Sequence, residues 1–134
     1  MLTYSEDDFL TLHEAASRLG VGVDLMLAWN MVVILECDGR ERVPGWSVDP
    51  RIVKYLPTIS QFFQGEALSY VLTTMRPLHD ARDGRAALRD GHWPEVLAMV
   101  QDLRERFDAV MLRSGPLEAN AFLTDPSISH VTLH

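Results

Sequence analysis

The chain has 134 residues, 47% of them hydrophobic, and a formal net charge of −7. This length suits one domain, or one small domain with an appendage, and the apolar content is sufficient for a hydrophobic core. Because the sequence contains no run of about 18 apolar residues and has an acidic N-terminus, we expect a cytoplasmic protein with no membrane span and no secretory signal. The single cysteine, Cys37, excludes an internal disulfide.

A first helix is predicted to begin directly after Thr11. The Thr11 hydroxyl can cap this helix, and Glu14, three residues later, can bind the amide of Thr11 in return. Apolar residues then recur at steps of three and four, which gives the helix one apolar face. Gly20 supplies the left-handed residue that ends it. The sequence therefore predicts a short capped helix followed by a tight turn.

A second helix is predicted after that turn. Gly22 is a weak N-cap for a helix of roughly ten residues, which ends between Met31 and Val33, where β-branched residues begin. We place Met26 and Trp29 on the side of this helix that faces the core. The remaining positions are also mostly apolar, so the helix is apolar almost all round.

A β-hairpin is predicted next. Residues 32–35 have the β-branched and apolar character of a strand, and Asp38-Gly39 is the strongest signal for a two-residue hairpin turn. Residues 40–43 form the return strand, and Pro44 is expected to prevent further pairing. The predicted order is therefore helix, turn, helix and a two-stranded wing.

Several segments of the chain resemble known families. The residues L-T-L-H-E-A-A-S-R-L-G-V (10–21), the hairpin, and V-P-G-W-S-V-D (43–49) resemble the winged helix-turn-helix of excisionases and MerR-type regulators. The later segments L-P-T-I-S-Q-F-F (56–63), 72–78 and A-L-R-D-G-H-W-P-E-V-L (87–97) are similar to the Xre/MbcA/ParS-like toxin-binding domain of antitoxins. The resemblance implies DNA binding by the second helix in a major groove, with the wing on the backbone, and binding of a toxin by the later helices.

The predicted second helix departs from that family pattern in its chemistry. Where relatives carry a Ser or Thr cap followed by Arg or Lys, this chain has residues that cannot pair with phosphate or donate to base edges. An exposed apolar helix normally has something covering it, and we predict a protein partner, with the chain's own tail as the alternative. The predicted partner-binding residues are Val23, Asp24, Leu25 and Leu27.

The charge of the first part of the chain also argues against DNA. Residues 1–49 contain three basic and nine acidic residues, a net charge of −6. Because phosphate neutralisation supplies most non-specific affinity, such a module is expected to bind duplex DNA poorly at physiological salt. A homodimer with both wings engaged is the alternative, and its DNA contacts would come from Arg18, Asn30, Arg40 and Arg42.

Residues 51–113 are predicted to form a small helical bundle that ends in one long helix. Pro94 opens this helix, which extends to about Leu112 and stops at Ser114-Gly115-Pro116. Five apolar residues on it step by four, three, four and three, which is the spacing of a heptad seam. Such a seam is either core or a contact in a homodimer. Its members are Val96, Val100, Leu103, Phe107 and Val110.

The remaining segments give no sign of catalysis. The charge-dense stretch from His79 to Gly91 has no second metal-ligand pair at helical spacing and no nucleophile motif, so we predict no catalytic residue, no metal site and no cofactor. Residues 114–134 keep apolar side chains that a disordered tail would lack, and we expect them to dock on the chain or on another protein.

The sequence predicts a mainly α protein with three regions. These are a winged helix-turn-helix-like module with a two-stranded hairpin (10–50), a small helical bundle (51–113) and a docked tail (114–134). The predicted function is that of a non-catalytic bacterial regulatory protein acting mainly through protein–protein binding, as an antitoxin, an anti-activator or a subunit of a regulatory complex. Its partner would be a toxin or a transcription regulator. The alternative is a homodimeric, sequence-specific DNA-binding transcriptional regulator.

Overall fold

A computed structural model describes residues 8–78 and 82–123. The described chain is mainly helical, as the sequence predicts, and also contains a small antiparallel sheet. No helix within these two ranges has both the length and the apolar character needed to cross a membrane. The elements are β1 (Phe9–Leu10), α1 (Leu12–Leu19), α2 (Val23–Ala28), β2 (Leu35–Cys37), β3 (Arg40–Pro44), a 3-10 helix (Gly45–Val48), α3 (Pro50–Val53), α4 (Leu56–Ile59), α5 (Gly65–Thr74), α6 (Gly84–Arg89), α7 (Trp93–Ser114) and α8 (Pro116–Leu123).

The chain divides into two compact units between Ser69 and Tyr70, a point that lies within α5. Residues 51–69, predicted from the sequence to belong to the helical bundle, pack in the first unit. Residues 114–123, the start of the predicted tail, belong to the second unit and form α8 after a break at Gly115. The rest of the predicted tail, 124–134, lies outside the described residues.

The predicted capping box begins α1. The amide of Glu14 donates to Thr11 Oγ1 at 3.1 Å, and the amide of Thr11 donates to Glu14 Oε1 at 3.1 Å. Gly20 has φ of 73°, and the amide of Val21 donates to the carbonyl of Ala16 at 3.1 Å. This bond satisfies a carbonyl at the end of the helix. Both ends of α1 therefore follow from residues recognisable in the sequence.

The second helix is shorter than predicted, with six residues instead of about ten. It ends because Asn30 adopts φ of 52°, the left-handed conformation in which asparagine is the usual substitute for glycine. The amide of Asn30 donates to the carbonyl of Leu27 at 3.2 Å, and the amide of Met31 donates to that of Met26 at 3.1 Å. These two bonds form a Schellman motif, which turns the chain away from the helix axis after Trp29.

The sheet has three strands in the order β1-β3-β2, so the prediction that it contains only the two strands of the hairpin was wrong. The hairpin itself is present, with Asp38 and Gly39 at φ of 54° and 76° in the turn. The extra strand is β1, in which Phe9 pairs with Pro44 and Leu10 with Val43. Pro44 thus lies in a paired position at the end of β3 instead of ending the pairing before it. A two-residue strand has too few positions to produce a detectable alternation.

A buried hydrogen bond fixes the connection between α2 and β2. The amide of Val33 donates to Ser47 Oγ at 2.8 Å, and Ser47 is fully buried in the 3-10 helix after the hairpin. Around it lies the hydrophobic core of the helix-and-hairpin part, onto which half-buried side chains such as Val23 and Met31 also pack. The buried members of that core are Leu10, Ala15, Ala16, Met26, Val32, Val43 and Val48.

The second unit is organised around α7, a helix of 22 residues on which α8 packs. Asp83 begins the preceding helix, because its Oδ1 accepts from the amide of Ala86 at 3.0 Å while its Oδ2 binds the guanidinium of Arg85 at 2.7 Å. The apolar side chains of these helices face one another in the interior of the unit. The buried ones are Val71, Leu72, Met75, Ala87, Leu88, Val96, Met99, Val100, Leu103, Phe107, Ala119 and Leu123.

Candidate interaction surface

The helix α2 presents large apolar side chains to solvent. Leu25 is 46% exposed, Leu27 is 39% exposed and Trp29, the residue that caps the helix, is 65% exposed. Met26, between them, is 0% exposed and anchors the helix in the core. The prediction that Trp29 faces the core was wrong, because the short helix and its terminal turn leave the indole outside.

These side chains lie on both sides of the buried Met26. Leu25 and Trp29 are four residues apart and share one flank, whereas Val23 and Leu27 share the other. Val23 is half-buried and packs against the core, and Asp24 is exposed. Of the four residues predicted to bind a partner, Asp24, Leu25 and Leu27 are thus accessible and Val23 is accessible in part. We call Leu25, Leu27 and Trp29 the α2 apolar surface.

Positive charge is missing from the chain segment that carries this surface. Between Arg18 and Arg40 the sequence contains no lysine, arginine or histidine, while it contains Asp24, Glu36 and Asp38. A helix that enters a DNA groove uses cationic and amide side chains to neutralise phosphates and contact base edges. The side chains of α2 offer neither, so its exposed chemistry matches an apolar partner better than a polyanion.

The residues predicted to contact DNA lie on three different elements. Arg18 is exposed in the last turn of α1, and Asn30 is exposed directly after α2. Arg40 and Arg42 are two residues apart on β3, so their side chains point to the same face of the strand. Arg40 is exposed, and Arg42 is half-exposed and donates through Nη1 to the carbonyl of Glu41 at 2.9 Å. The hairpin therefore presents a pair of arginines, as the DNA-binding alternative requires.

Three further exposed apolar sites among the described residues were not identified from the sequence. Phe9, in β1, is 56% exposed, and Trp93, the first residue of α7, is 44% exposed. Leu112 and Leu117, on either side of the turn between α7 and α8, are exposed in the second unit. Single exposed apolar residues are common in folded proteins, so these positions alone indicate no function. Phe9 alternates with the buried Leu10, and this is the pattern that could have identified its outward direction.

The residues of the predicted dimer seam lie mostly inside the second unit. Val96, Val100, Leu103 and Phe107 are buried in the chain, and Val110 is half-buried. Because both α6 and α8 pack on α7, the chain itself covers this apolar face. The heptad spacing is therefore accounted for without a second copy, and a homodimer through these residues stays a prediction.

The charged residues of the stretch 79–91 and the adjacent His92 have structural partners where the structure describes them. Asp83 caps α6, and His92 Nδ1 lies 3.8 Å from Glu95 Oε2 at the start of α7. His79 and Asp80 lie outside the described residues. Within the described ranges, no group of three or more His, Cys, Asp or Glu residues is arranged to hold a metal ion.

Comparisons with known proteins assign neither a family nor a function to this chain. No family model, no curated protein and no solved structure gives a significant match to this chain.

Proposed function

We propose that the protein is a non-catalytic regulatory protein on a winged-helix scaffold that acts by binding another protein through α2. An antitoxin, an anti-activator and a subunit of a regulatory complex are the roles that fit. The observation that carries this proposal is the α2 apolar surface, because the helix that would read DNA carries exposed leucine and tryptophan instead of cations.

The element order supports the scaffold. A capped α1, a tight turn at Gly20, α2 and the β2–β3 hairpin follow one another as in a winged helix-turn-helix. In that arrangement the second helix is the element offered to a partner, and its outward side chains determine which partner is recognised. Here those side chains are apolar, which favours a polypeptide surface.

The energetics are sufficient for a specific contact. Fully burying a leucine-sized side chain is worth about 1.5–3 kcal/mol. Because the three residues of the α2 apolar surface keep roughly half of their surface exposed, covering them adds about 1 kcal/mol each on that scale. A total of about 3 kcal/mol corresponds to roughly a hundredfold in affinity. This surface could therefore act as the central anchor of an interface, with contacts around it supplying the rest.

The alternative is a homodimeric DNA-binding regulator that uses the hairpin. Arg40 and Arg42 on one face of β3 favour it, because two arginines at that spacing can reach adjacent phosphates. In a dimer the pair occurs twice and places four arginines at the DNA, while the net charge doubles from −7 to −14. Arg18 and Asn30 would add contacts from the helices.

A salt titration distinguishes the two functions. If the protein acts by binding another protein, a labelled DNA duplex should show no measurable binding by fluorescence anisotropy at about 150 mM salt. If it reads DNA, affinity should fall steeply between about 50 and 200 mM salt. Replacing Arg40 and Arg42 together by alanine should then reduce the slope of log affinity against log salt concentration by about one unit per lost phosphate contact. A steep slope that these changes reduce would overturn the proposal.

Substitution of Leu27 by aspartate should abolish the complex with a protein partner while leaving the fold intact. Leu27 is exposed, so the charge stays in water in the free protein but would be buried without a partner in the complex. Leu112→Asp, at a site 89% exposed in the second unit, is the matched control. The measurement compares the proteins that co-purify with tagged wild type and the two variants, together with thermal unfolding. A partner retained by Leu27→Asp contradicts the assignment of α2.

A further inference from the structure

The first unit contains a cleft of about 340 Å³ behind the C-terminal end of α2. Three parts of the chain form its walls: the connection from α2 to β2, the end of α4, and the start of α5. This volume lies at the lower end of the range typical of small-molecule sites. It is equivalent to about eleven water molecules at roughly 30 Å³ each. The lining residues are Asn30, Val32, Ile34, Ser60, Gln64, Gly65 and Leu68.

The lining is divided between apolar and uncharged polar side chains. Val32, Ile34 and Leu68 supply the apolar part, whereas Asn30, Ser60 and Gln64 supply two amides and a hydroxyl. No charged side chain is among the lining residues. A charged ligand would therefore lose water without gaining an opposite charge, which is costly. A neutral ligand loses little hydration free energy on entering the cleft. If it has an apolar body and a polar end, the cleft can contact both parts.

The polar groups are suited to a carboxamide. Each side-chain amide offers both a donor and an acceptor, the pairing that another amide needs. Ser60 is 5% exposed, and its hydroxyl donates to the carbonyl of Pro57 at 3.1 Å. Its proton is used in that bond, so the Ser60 oxygen is left to accept a hydrogen bond from a ligand N–H.

The backbone around the cleft is held in place before any ligand enters. Asn30 is fixed by the two Schellman hydrogen bonds that end α2. Gly65, on the opposite wall, has φ of 59°, and a Cβ atom there would lie 3.5 Å from the carbonyl oxygen of Ile34. A larger residue at position 65 would therefore project a side chain towards the Ile34 carbonyl and would also be strained at this positive φ.

We propose that this cleft is a binding site for a small, uncharged molecule that combines an apolar ring or chain with an amide-type group. The apolar body lies against Val32, Ile34 and Leu68. The amide end exchanges hydrogen bonds with the side chains of Asn30 and Gln64 and donates to Ser60 Oγ. This site is separate from the α2 apolar surface and does not depend on the nature of the protein's partner.

Three probes of the same size and different charge test the proposal. Benzamide is neutral, benzoate is its anionic counterpart and benzamidine is its cationic counterpart. In titrations followed by ¹⁵N–¹H NMR, benzamide should shift the side-chain NH₂ signals of Asn30 and Gln64 with a Kd on the order of 1–10 mM. The charged probes should bind at least about tenfold more weakly. The side-chain NH₂ of Gln101, exposed on α7 in the second unit, is the internal control and should not move.

A substitution that places a charge at the edge of the cleft is the second part of the test. Gln64 is exposed, so Gln64→Lys should fold normally and should reverse the preference, with benzoate binding more tightly than benzamide. The proposal is overturned if benzamide leaves the Asn30 and Gln64 signals unchanged up to about ten times the expected Kd. It is equally overturned if the three probes bind alike, or if the Gln101 signal moves together with the other two.

Discussion

Replacing Met26 by aspartate is expected to unfold the first unit, whereas the same replacement at the adjacent Leu25 should leave it folded. Met26 lies in the core with 0% exposure, so an aspartate there buries a carboxylate with no partner. The cost is several kcal/mol, which is comparable with the whole stability of a domain at about 5–15 kcal/mol. The Leu25 side chain keeps 46% of its surface in water, and its carboxylate replacement would remain solvated.

Far-UV circular dichroism and urea unfolding of the two variants measure this contrast. The Leu25→Asp midpoint should lie close to that of wild type, and the Met26→Asp protein should lack the cooperative transition of the first unit. If Leu25→Asp also unfolds, the side chain is covered in solution and the α2 apolar surface is not available to a partner. The pair therefore tests the helix register on which the proposed function depends.

Truncation of Leu103 to alanine is expected to destabilise the second unit by about 2–5 kcal/mol, the usual range for a buried leucine. Leu103 is 3% exposed in the interior of the second unit, and a closely packed interior closes only in part over the cavity that such a truncation leaves. Leu112→Ala is the control, because that side chain lies almost wholly in water. Its effect should stay within about 0.5 kcal/mol.

The same pair of variants separates core from dimer contact. If the seam on α7 packs within one chain, the thermal midpoint should not depend on protein concentration, either in wild type or in Leu103→Ala. A dimer through the seam would instead raise the midpoint with concentration, because association stabilises the folded state by mass action. Loss of such a dependence in Leu103→Ala would support the homodimer.

Features governed by neighbouring residues could be predicted from the sequence. The capping box at Thr11 and Glu14, the hairpin turn at Asp38-Gly39, and the long helix between Pro94 and Gly115 all occur where expected. In each case the signal and the structure lie within a few residues of each other, so no tertiary information is needed. The mainly helical class follows from the same local signals.

Features decided by distant parts of the chain could not be predicted. Strand β1 exists because β3 offers an edge to Phe9 and Leu10, and two residues carry no periodicity of their own. The early end of α2 is a different case, because its signal is local: Asn30 adopts the left-handed conformation that ends a helix, and the prediction of a ten-residue helix overlooked it. The outward position of Trp29 follows from that early end. For the seam on α7, the spacing is compatible with both core and dimer, and the seam is covered by the packing of α6 and α8.

For the candidate site, the sequence located the helix but only part of its surface. Leu25 and Leu27 were identified because they are apolar at positions where the proteins that the sequence resembles carry cations, and both are exposed. Trp29 was assigned to the wrong side, and it is the most exposed of the three. The cleft beside Asn30 had no signal in the sequence, because its walls come from segments separated by some thirty residues. Sites of that kind arise from packing and not from motifs.

The buried bond between the Val33 amide and Ser47 Oγ also governs how this part of the molecule can fluctuate. Breaking it would strand a donor in the interior, at a cost of about 1–3 kcal/mol. Opening of the segment behind α2 without the 3-10 helix after the hairpin is therefore disfavoured by that amount, which couples the motions of the two. A protein that docks on α2 would thus meet a preformed template and gain little from remodelling it, so its own chain would have to supply any adjustment in shape.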